Sequence, residues 1–210
     1  MNRTSDSKES RVALPPQRHD GPLSLEATLR GRRSQRSFTS EPLEMAELGQ
    51  LAWAAQGVTG RQGQRTAPSG GGRYPLDLFV VASRVEGLAP GVYRYNPGEH
   101  RLERHARAPG GDRGRALAEA ALGQRWVHEA QTVFVLTATY DRITSRYGER
   151  GRRYAVLEAG HAAQNLHLQA VALELGSVPV GAFDDQAVKR ALGLADDEEP
   201  LYLLPVGAID

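Results

Sequence analysis

The segment Arg30-Gly31-Arg32-Arg33-Ser34-Gln35-Arg36-Ser37-Phe38 places four arginines within seven positions, beside a serine. Planar guanidinium forks bind a phosphate monoester through paired charge-assisted hydrogen bonds, and a hydroxyl adds a further donor. Two later segments complement it. Ala67-Pro68-Ser69-Gly70-Gly71-Gly72-Arg73-Tyr74-Pro75 and Ser177-Val178-Pro179-Val180-Gly181-Ala182-Phe183 combine small residues with prolines, and such backbone can approach a flat ring closely and present N–H groups to it. A phosphorylated, flat, redox-active molecule meets all three demands, and flavin mononucleotide (FMN) is the candidate they suggest.

Outward from the arginines, Ser24 is expected to cap a short helix through Arg30, with Gly31 releasing the chain. Pro42 opens a second helix, with an apolar face of Leu43, Leu48, Leu51, Ala52 and Ala55 and a stop at Gly57. Residues 57–72 read as a long, mobile loop. Leu76 to Ser83 reads as a strand, and Gly91 to Tyr95 with His100 to Arg104 as a hairpin. A helix from Asp112 to Leu122 precedes the best buried-strand candidate, Thr132 to Thr139. Arg150 to Leu175 is the longest helical segment, apolar in nearly every direction and so expected to be buried on most sides. A helix from Asp185 to Leu192, capped by Asp184 and closed by Gly193, leads to a last strand, Leu201 to Val206. Residues 1–22 are polar enough to form a disordered or loosely attached arm, which leaves a folded domain over 23–210. Hairpins beside separate helices predict an α+β fold rather than a repeating βαβ plan.

Composition narrows the function. A chain of 210 residues supports one substantial core, and its 26 basic and 25 acidic residues nearly cancel, so no strong field favours nucleic acid or an anionic membrane. Lysine occurs only at Lys8 and Lys189; nearly all positive charge is arginine. Cysteine is absent, which excludes disulfides, thiolate nucleophiles and iron–sulfur ligation, so redox chemistry must be borrowed from a cofactor. No apolar run resembles a secretory signal or a membrane span, and a soluble cytoplasmic protein is expected. The absence of G-x-G-x-x-G, P-loop and G-x-S-x-G patterns disfavours a Rossmann dehydrogenase, an NTPase and a serine hydrolase. Of the six histidines, His161 and His167 point in different directions on a helix, and no metal site is expected.

Arg32-Arg33-Ser34-Gln35-Arg36-Ser37-Phe38 resembles the amino-terminal phosphate signature of the FMN-dependent nitroreductase family. Ala67 to Pro75 is similar to a loop that the SagB-type dehydrogenase branch carries near its flavin. Tyr147-Gly148-Glu149-Arg150, the helix segment from Glu158 to Leu166, and Pro200 to Gly207 also resemble that branch, so that the likeness runs from residue 25 to residue 208. It implies a nitroreductase-like α+β fold, a mixed, mostly antiparallel sheet packed among helices, and a homodimer with two flavin sites at its interface.

By this resemblance Arg32, Ser34 and Arg36 contact the FMN phosphate and ribityl chain, with Arg33 beside them. Pro68, Ser69, Gly70 and Gly71 meet the ring edge, while Pro179, Val180 and Ala182 flank Gly181, whose N–H reaches flavin N5. Gln124 is a further polar contact by alignment. Tyr147 falls where azoline-oxidising relatives carry a Lys-Tyr pair, but here the pair is Arg146-Tyr147, and arginine stays protonated and cannot act as a general base. The implied activity is FMN-dependent ping-pong hydride transfer through N5, from NAD(P)H to a nitroaromatic or quinone-type acceptor. The alternatives are a SagB-type azoline (thiazoline or oxazoline) dehydrogenase acting on peptide-derived heterocycles, and a flavin-binding module without turnover. Against these stand plainer readings of the same residues: a solvated charge run, a flexible turn, a strand end with a bulge, a surface helix end at Gln124 and a partly buried tyrosine.

Overall fold

Strand β5 (Thr132–Thr139) explains the layering of the molecule. Every side chain from Thr132 to Ala138 is buried, so the strand has no solvent face and needs a layer on each side. In the computed structural model, which describes residues 11–210, β5 pairs antiparallel with β2 (Leu76–Ala82) and with β7 (Glu198–Ala208). Strands β1 (Arg11–Ala13), β3 (Gly91–Asn96), β4 (Arg101–Arg104) and β6 (Leu175–Ser177) complete a seven-stranded sheet of order β1-β4-β3-β2-β5-β7-β6. All of these pairings are antiparallel. A parallel bridge from Ser34 to Ser177 outside the named strands adds the mixed character.

The period of two along β5 divides the core. Phe134, Leu136 and Ala138 point into one cluster with Leu48, Leu51, Ala159 and Leu166, whereas Val133 and Val135 point into a second with Leu117, Val188 and Leu192. Helices α2 (Met45–Gln56) and α6 (Arg150–Ala172) cover the first face; α3 (Arg113–Ala120), α4 (Arg125–Glu129) and α7 (Asp185–Leu192) cover the second. Helix α1 (Leu25–Gly31) packs on α6, and α5 (Asp141–Tyr147) leads into it. The α+β class predicted from the hairpins and separate helices is the observed one.

Local chemistry sets most boundaries. Ser24, Asp112 and Asp184 each accept a backbone N–H in the first turn of their helix, and Gly193 closes α7 at φ 67°. Other boundaries differ from the sequence reading. Helix α2 starts at Met45 behind a Glu44–Glu47 capping box, not at Pro42, because fully buried Leu43 is held extended by its bridge to Val85. Helix α6 stops at Ala172, and the chain turns at Glu174 (φ 60°) so that Leu175–Ser177 becomes a strand. It is not buried on most sides: Val156 and Leu157 are 54% and 53% exposed. Residues 57–72 are pinned rather than loose, by a Val58–Arg65 bridge and by Thr66 N–H donating to Gly57 O at 2.9 Å. The arm expected over residues 1–22 is corrected in part. Residues 1–10 lie outside the described residues, but Arg11–Ala13 pairs with β4 and Leu14 is buried, since Val12 and Leu14 supply apolar contact where the rest of the arm is polar. Among the described residues no helix is long and apolar enough to cross a membrane, and no cluster of three acidic or histidine side chains is arranged to hold a metal.

Candidate active site

The arginine loop is attached to the end of the sheet. Gln35 N–H donates to Ser177 O at 3.0 Å, beside the Ser34–Ser177 bridge, so the loop lies along β6 and the chain that continues it into Pro179–Ala182. That continuation is held in turn: Val180 exchanges backbone hydrogen bonds with Leu203 of β7, and the Gln124 amide donates to Ala182 O at 3.0 Å. Gln124 therefore supports the Gly181 loop by a bond within the protein. The Arg36 guanidinium lies 5.5 Å from the centre of the Trp126 ring, a contact the sequence reading missed because α4 carried no recognised helix signal. Arg33 turns back, its Nη1 donating to Arg30 O at 3.0 Å and Arg32 O at 2.8 Å. Arg32 and Arg36 form no ion pair among the described residues, and Gly181 is exposed, its N–H unused by any backbone bond among them.

A second cluster forms around Pro68–Gly72. Ser69 Oγ accepts Tyr74 N–H at 2.8 Å, and Gly70–Gly72 make one 3₁₀ turn in which Gly71 has φ 59°. A Cβ on Gly71 would lie 2.5 Å from Tyr147 Oη, and one on Gly70 would touch Ile143 and Tyr154; only glycine lets this turn sit so close to α5 and α6. Arg73 Nε donates to Arg142 O at 2.9 Å and locks the turn to α5. Tyr147 packs edge-on against Tyr154 with centroids 5.2 Å apart, and Arg146 covers the Tyr147 ring at 5.6 Å. The turn and the Arg146-Tyr147 pair, 75 residues apart in sequence from Gly71 to Arg146, thus share one site.

Helix α6 connects the clusters and contributes two buried ionisable groups to which the sequence reading assigned no role at this site. Glu158 is 2% exposed and faces the Ser69 turn. Burial raises its carboxyl to about 7, opposed in part by hydrogen bonding from Ser69 and by the Arg65 charge. Neither carboxyl oxygen has a well-aligned donor, so the Ser69 interaction is a weak one. His167, nine residues on, is 5% exposed; its Nδ1 shares a 2.7 Å hydrogen bond with Ser177 Oγ and its Nε2 is buried without a partner. Burial and the Arg32 charge push it down to about 4, so the ring is neutral at pH 7. At 1.5 Å per residue the two groups are separated by about 14 Å along the helix. In the single chain the three segments read from the sequence therefore make two clusters: the arginine and Gly181 loops near His167, and the Ser69 turn with Tyr147 near Glu158.

The nitroreductase family model matches residues 29–208. The chain belongs to the nitroreductase family. A nitroreductase-family protein of Methanocaldococcus jannaschii is 43% identical over 88% of this chain and 91% of its own. The crystal structure of a nitroreductase-family protein from Ralstonia eutropha JMP134 superposes with a TM-score of 0.82 at 30% identity, covering 96% of this chain and 90% of that one. The trifolitoxin operon protein TfxC of Rhizobium leguminosarum bv. trifolii is 29% identical over 85% of this chain, which spans only 54% of TfxC. As a member of this family the chain carries the nitroreductase fold, and its arginine loop lies at the start of the matched region.

Proposed function

We propose that this nitroreductase-family oxidoreductase binds FMN and carries electrons from NAD(P)H to a nitroaromatic or quinone-type acceptor in a ping-pong cycle, as a cytoplasmic homodimer. The observation that carries the reading is the seam at Ser177, where two arginines that have no carboxylate partner among the described residues are joined to the strand that continues into the Gly181 loop. The donor set suits FMN. Arg32 and Arg36 are available to a dianionic phosphate with Ser34 as a neutral donor, while Arg33 shapes the loop through its bonds to two carbonyls. Pro179, Val180 and Ala182 would rest against the ring, with the exposed Gly181 N–H at its edge. Bound FMN supplies the two-electron hydride chemistry that no side chain of this cysteine-free protein can provide. The protein binds, orients and limits access.

A second copy of the chain is the partner that would join the two clusters. Val156, Leu157, Gly160, His161 and Gln164 form an exposed stripe at helical spacing on α6, and Leu25 and Leu29 lie exposed on the adjoining α1. Apolar side chains placed so on a helix otherwise packed in the core suit a protein interface.

A second reading, azoline dehydrogenation of a peptide-derived substrate, draws on the relative from the trifolitoxin operon. Arg146 weighs against it. Its guanidinium covers the Tyr147 ring, and a guanidinium, unlike a lysine amine, does not serve as a general base. The test of the main reading is a purified protein with flavin absorption, bleached anaerobically by NADH or NADPH and restored by menadione. A colourless protein with no affinity for added FMN would overturn it. Bleaching by a thiazoline peptide but by neither nicotinamide would favour the second reading.

A further inference from the structure

Glu158 occupies an unusual position for a carboxyl group. It is almost fully buried, and both oxygens are sealed from solvent without a well-aligned donor among the described residues, an arrangement that is costly unless protonation or a specific neighbour offsets it. Its surroundings are those of the Ser69 turn. Tyr154, one helical turn earlier on α6, packs on Gly70, and Asn165, two turns later, donates to Thr66 O at 3.2 Å. Segment 66–70 is therefore built on this side of α6. Ser69 belongs to that segment and is half-buried; its Oγ accepts Tyr74 N–H, which leaves one lone pair and its own proton to be assigned.

We propose that Glu158 is a positioning residue that sets whether Ser69 presents a hydrogen-bond donor or an acceptor to the ligand of this site. The proposal rests on the FMN reading given above. With Glu158 ionised, Ser69 donates its proton inward to the carboxylate and shows only a lone pair outward. With Glu158 protonated, the carboxyl O–H donates to that lone pair and the Ser69 O–H is released to donate outward. One proton is taken up by Glu158, and no covalent bond of Ser69 changes. A flavin ring edge carries both carbonyl acceptors and an imide N–H donor, so the two states interact with it differently.

The charges around Glu158 hold this balance near neutrality. Arg65, fixed by a 2.7 Å bond to Gln56 Oε1 and stacked 4.5 Å from the centre of the Tyr74 ring, favours the carboxylate. Asp77 on β2 and Arg142 on α5 act on Arg65 but oppose each other, as a 2.9 Å ion pair, and Tyr95 on β3 is held neutral by burial. Burial favours the acid and outweighs the Arg65 charge, so both states are populated close to pH 7.

The experiment is FMN affinity, read by quenching of FMN fluorescence from about pH 5.5 to 8.5, for the wild type, Glu158→Gln and Ser69→Ala. The FMN phosphate titrates near about pH 6 in every variant, so the quantity read is the ratio of variant to wild-type Kd. Glutamine donates to Ser69 at every pH; its ratio should be close to one at acid pH and depart by about tenfold above about pH 8, the effect of one hydrogen bond. Ser69→Ala, at a half-buried position that leaves the helix intact, should lose the component of the pH profile centred on Glu158. If both variants keep the wild-type profile, with ratios that do not change with pH, the Glu158 proposal is wrong while the flavin reading stands. A wild type that quenches no FMN at any pH would remove both.

Discussion

Replacing Glu158 by glutamine should make the stability of this chain visibly pH-dependent, because in the wild type the titration of His167 is masked by that of Glu158. The Glu158 carboxyl is raised from 4.5 to about 7, so the native state holds a proton that the unfolded chain releases, and stability falls as pH rises through that range. His167 is lowered from 6.5 to about 4; here the unfolded chain takes a proton that the native state refuses, and stability is lost as pH falls through that range. At 1.36 kcal/mol for each tenfold change in proton affinity, each displacement corresponds to roughly 3 kcal/mol. Between about pH 4.5 and 6.5 the slopes oppose and nearly cancel. Glu158→Gln leaves only the histidine slope, a loss of about 3 kcal/mol from neutral pH down to about pH 4. His167→Asn, which keeps a partner for Ser177 Oγ, leaves the reverse slope, and the double variant is flat again. Because the groups lie about 14 Å apart, their effects should add. Urea midpoints of the whole chain without added cofactor, taken as variant minus wild type at each pH, remove the contributions of the other carboxylates. Parallel curves for wild type and Glu158→Gln would refute the argument that this carboxyl is held protonated by burial.

Arg32→Ala and Arg36→Ala should each weaken FMN binding by about 1.5 to 3 kcal/mol, the value of a hydrogen bond to a charged group; a fluorescence titration that finds unchanged affinity removes that arginine from the site. Gly71→Ala places a Cβ 2.5 Å from Tyr147 Oη at φ 59°, and should lower the thermal midpoint with a cost of at least about 1 kcal/mol. Gly72→Ala shares the positive φ but meets open space, so it should cost less, and equal costs would mean that the Tyr147 contact is unimportant. Leu157→Asp should convert a dimer to monomers in sedimentation velocity; a dimer that persists unchanged would place the interface elsewhere.

The fold was legible in the sequence where a local physical rule dominates. Ser24 and Asp184 are side-chain caps that satisfy a backbone N–H, and the uninterrupted apolar run of β5 states its own burial. It was illegible where distant contacts override the local rule. Pro42 is a good helix opener, yet the burial of Leu43 against Val85 holds the chain extended until Glu44. Gly176 looks like a helix stop, but the turn is made earlier, at Glu174, because Leu175 to Ser177 pair with β7. Arg11 to Ala13 join the sheet through backbone bonds, helped by the apolar contacts of Val12 and Leu14 alone, too few to make a pattern. Composition cannot announce such a strand.

Within the site, charge type was legible and availability was not. The four clustered arginines look equivalent in sequence, but the folded chain turns Arg33 back onto two carbonyls and leaves Arg32 and Arg36 without an ion pair among the described residues. Gln124, read as a ligand contact, is used inside the protein to hold Ala182. Helix α6 makes the same point most sharply, because hydropathy alone would bury Val156 and Leu157 and expose Glu158 and His167, and the structure does the reverse. Helical phase fixes that outcome: Glu158 shares its side with Ala155, Ala159 and Ala162, which are packed in the core, while Val156 and Leu157 share theirs with Gly160 and Gln164, which are not. Turning the helix to hide the two apolar side chains would pull Glu158 away from the Ser69 turn and Leu166 out of the core. The inversion therefore follows from packing, and it leaves an apolar stripe outward and a titratable pair inward on a helix that touches both clusters.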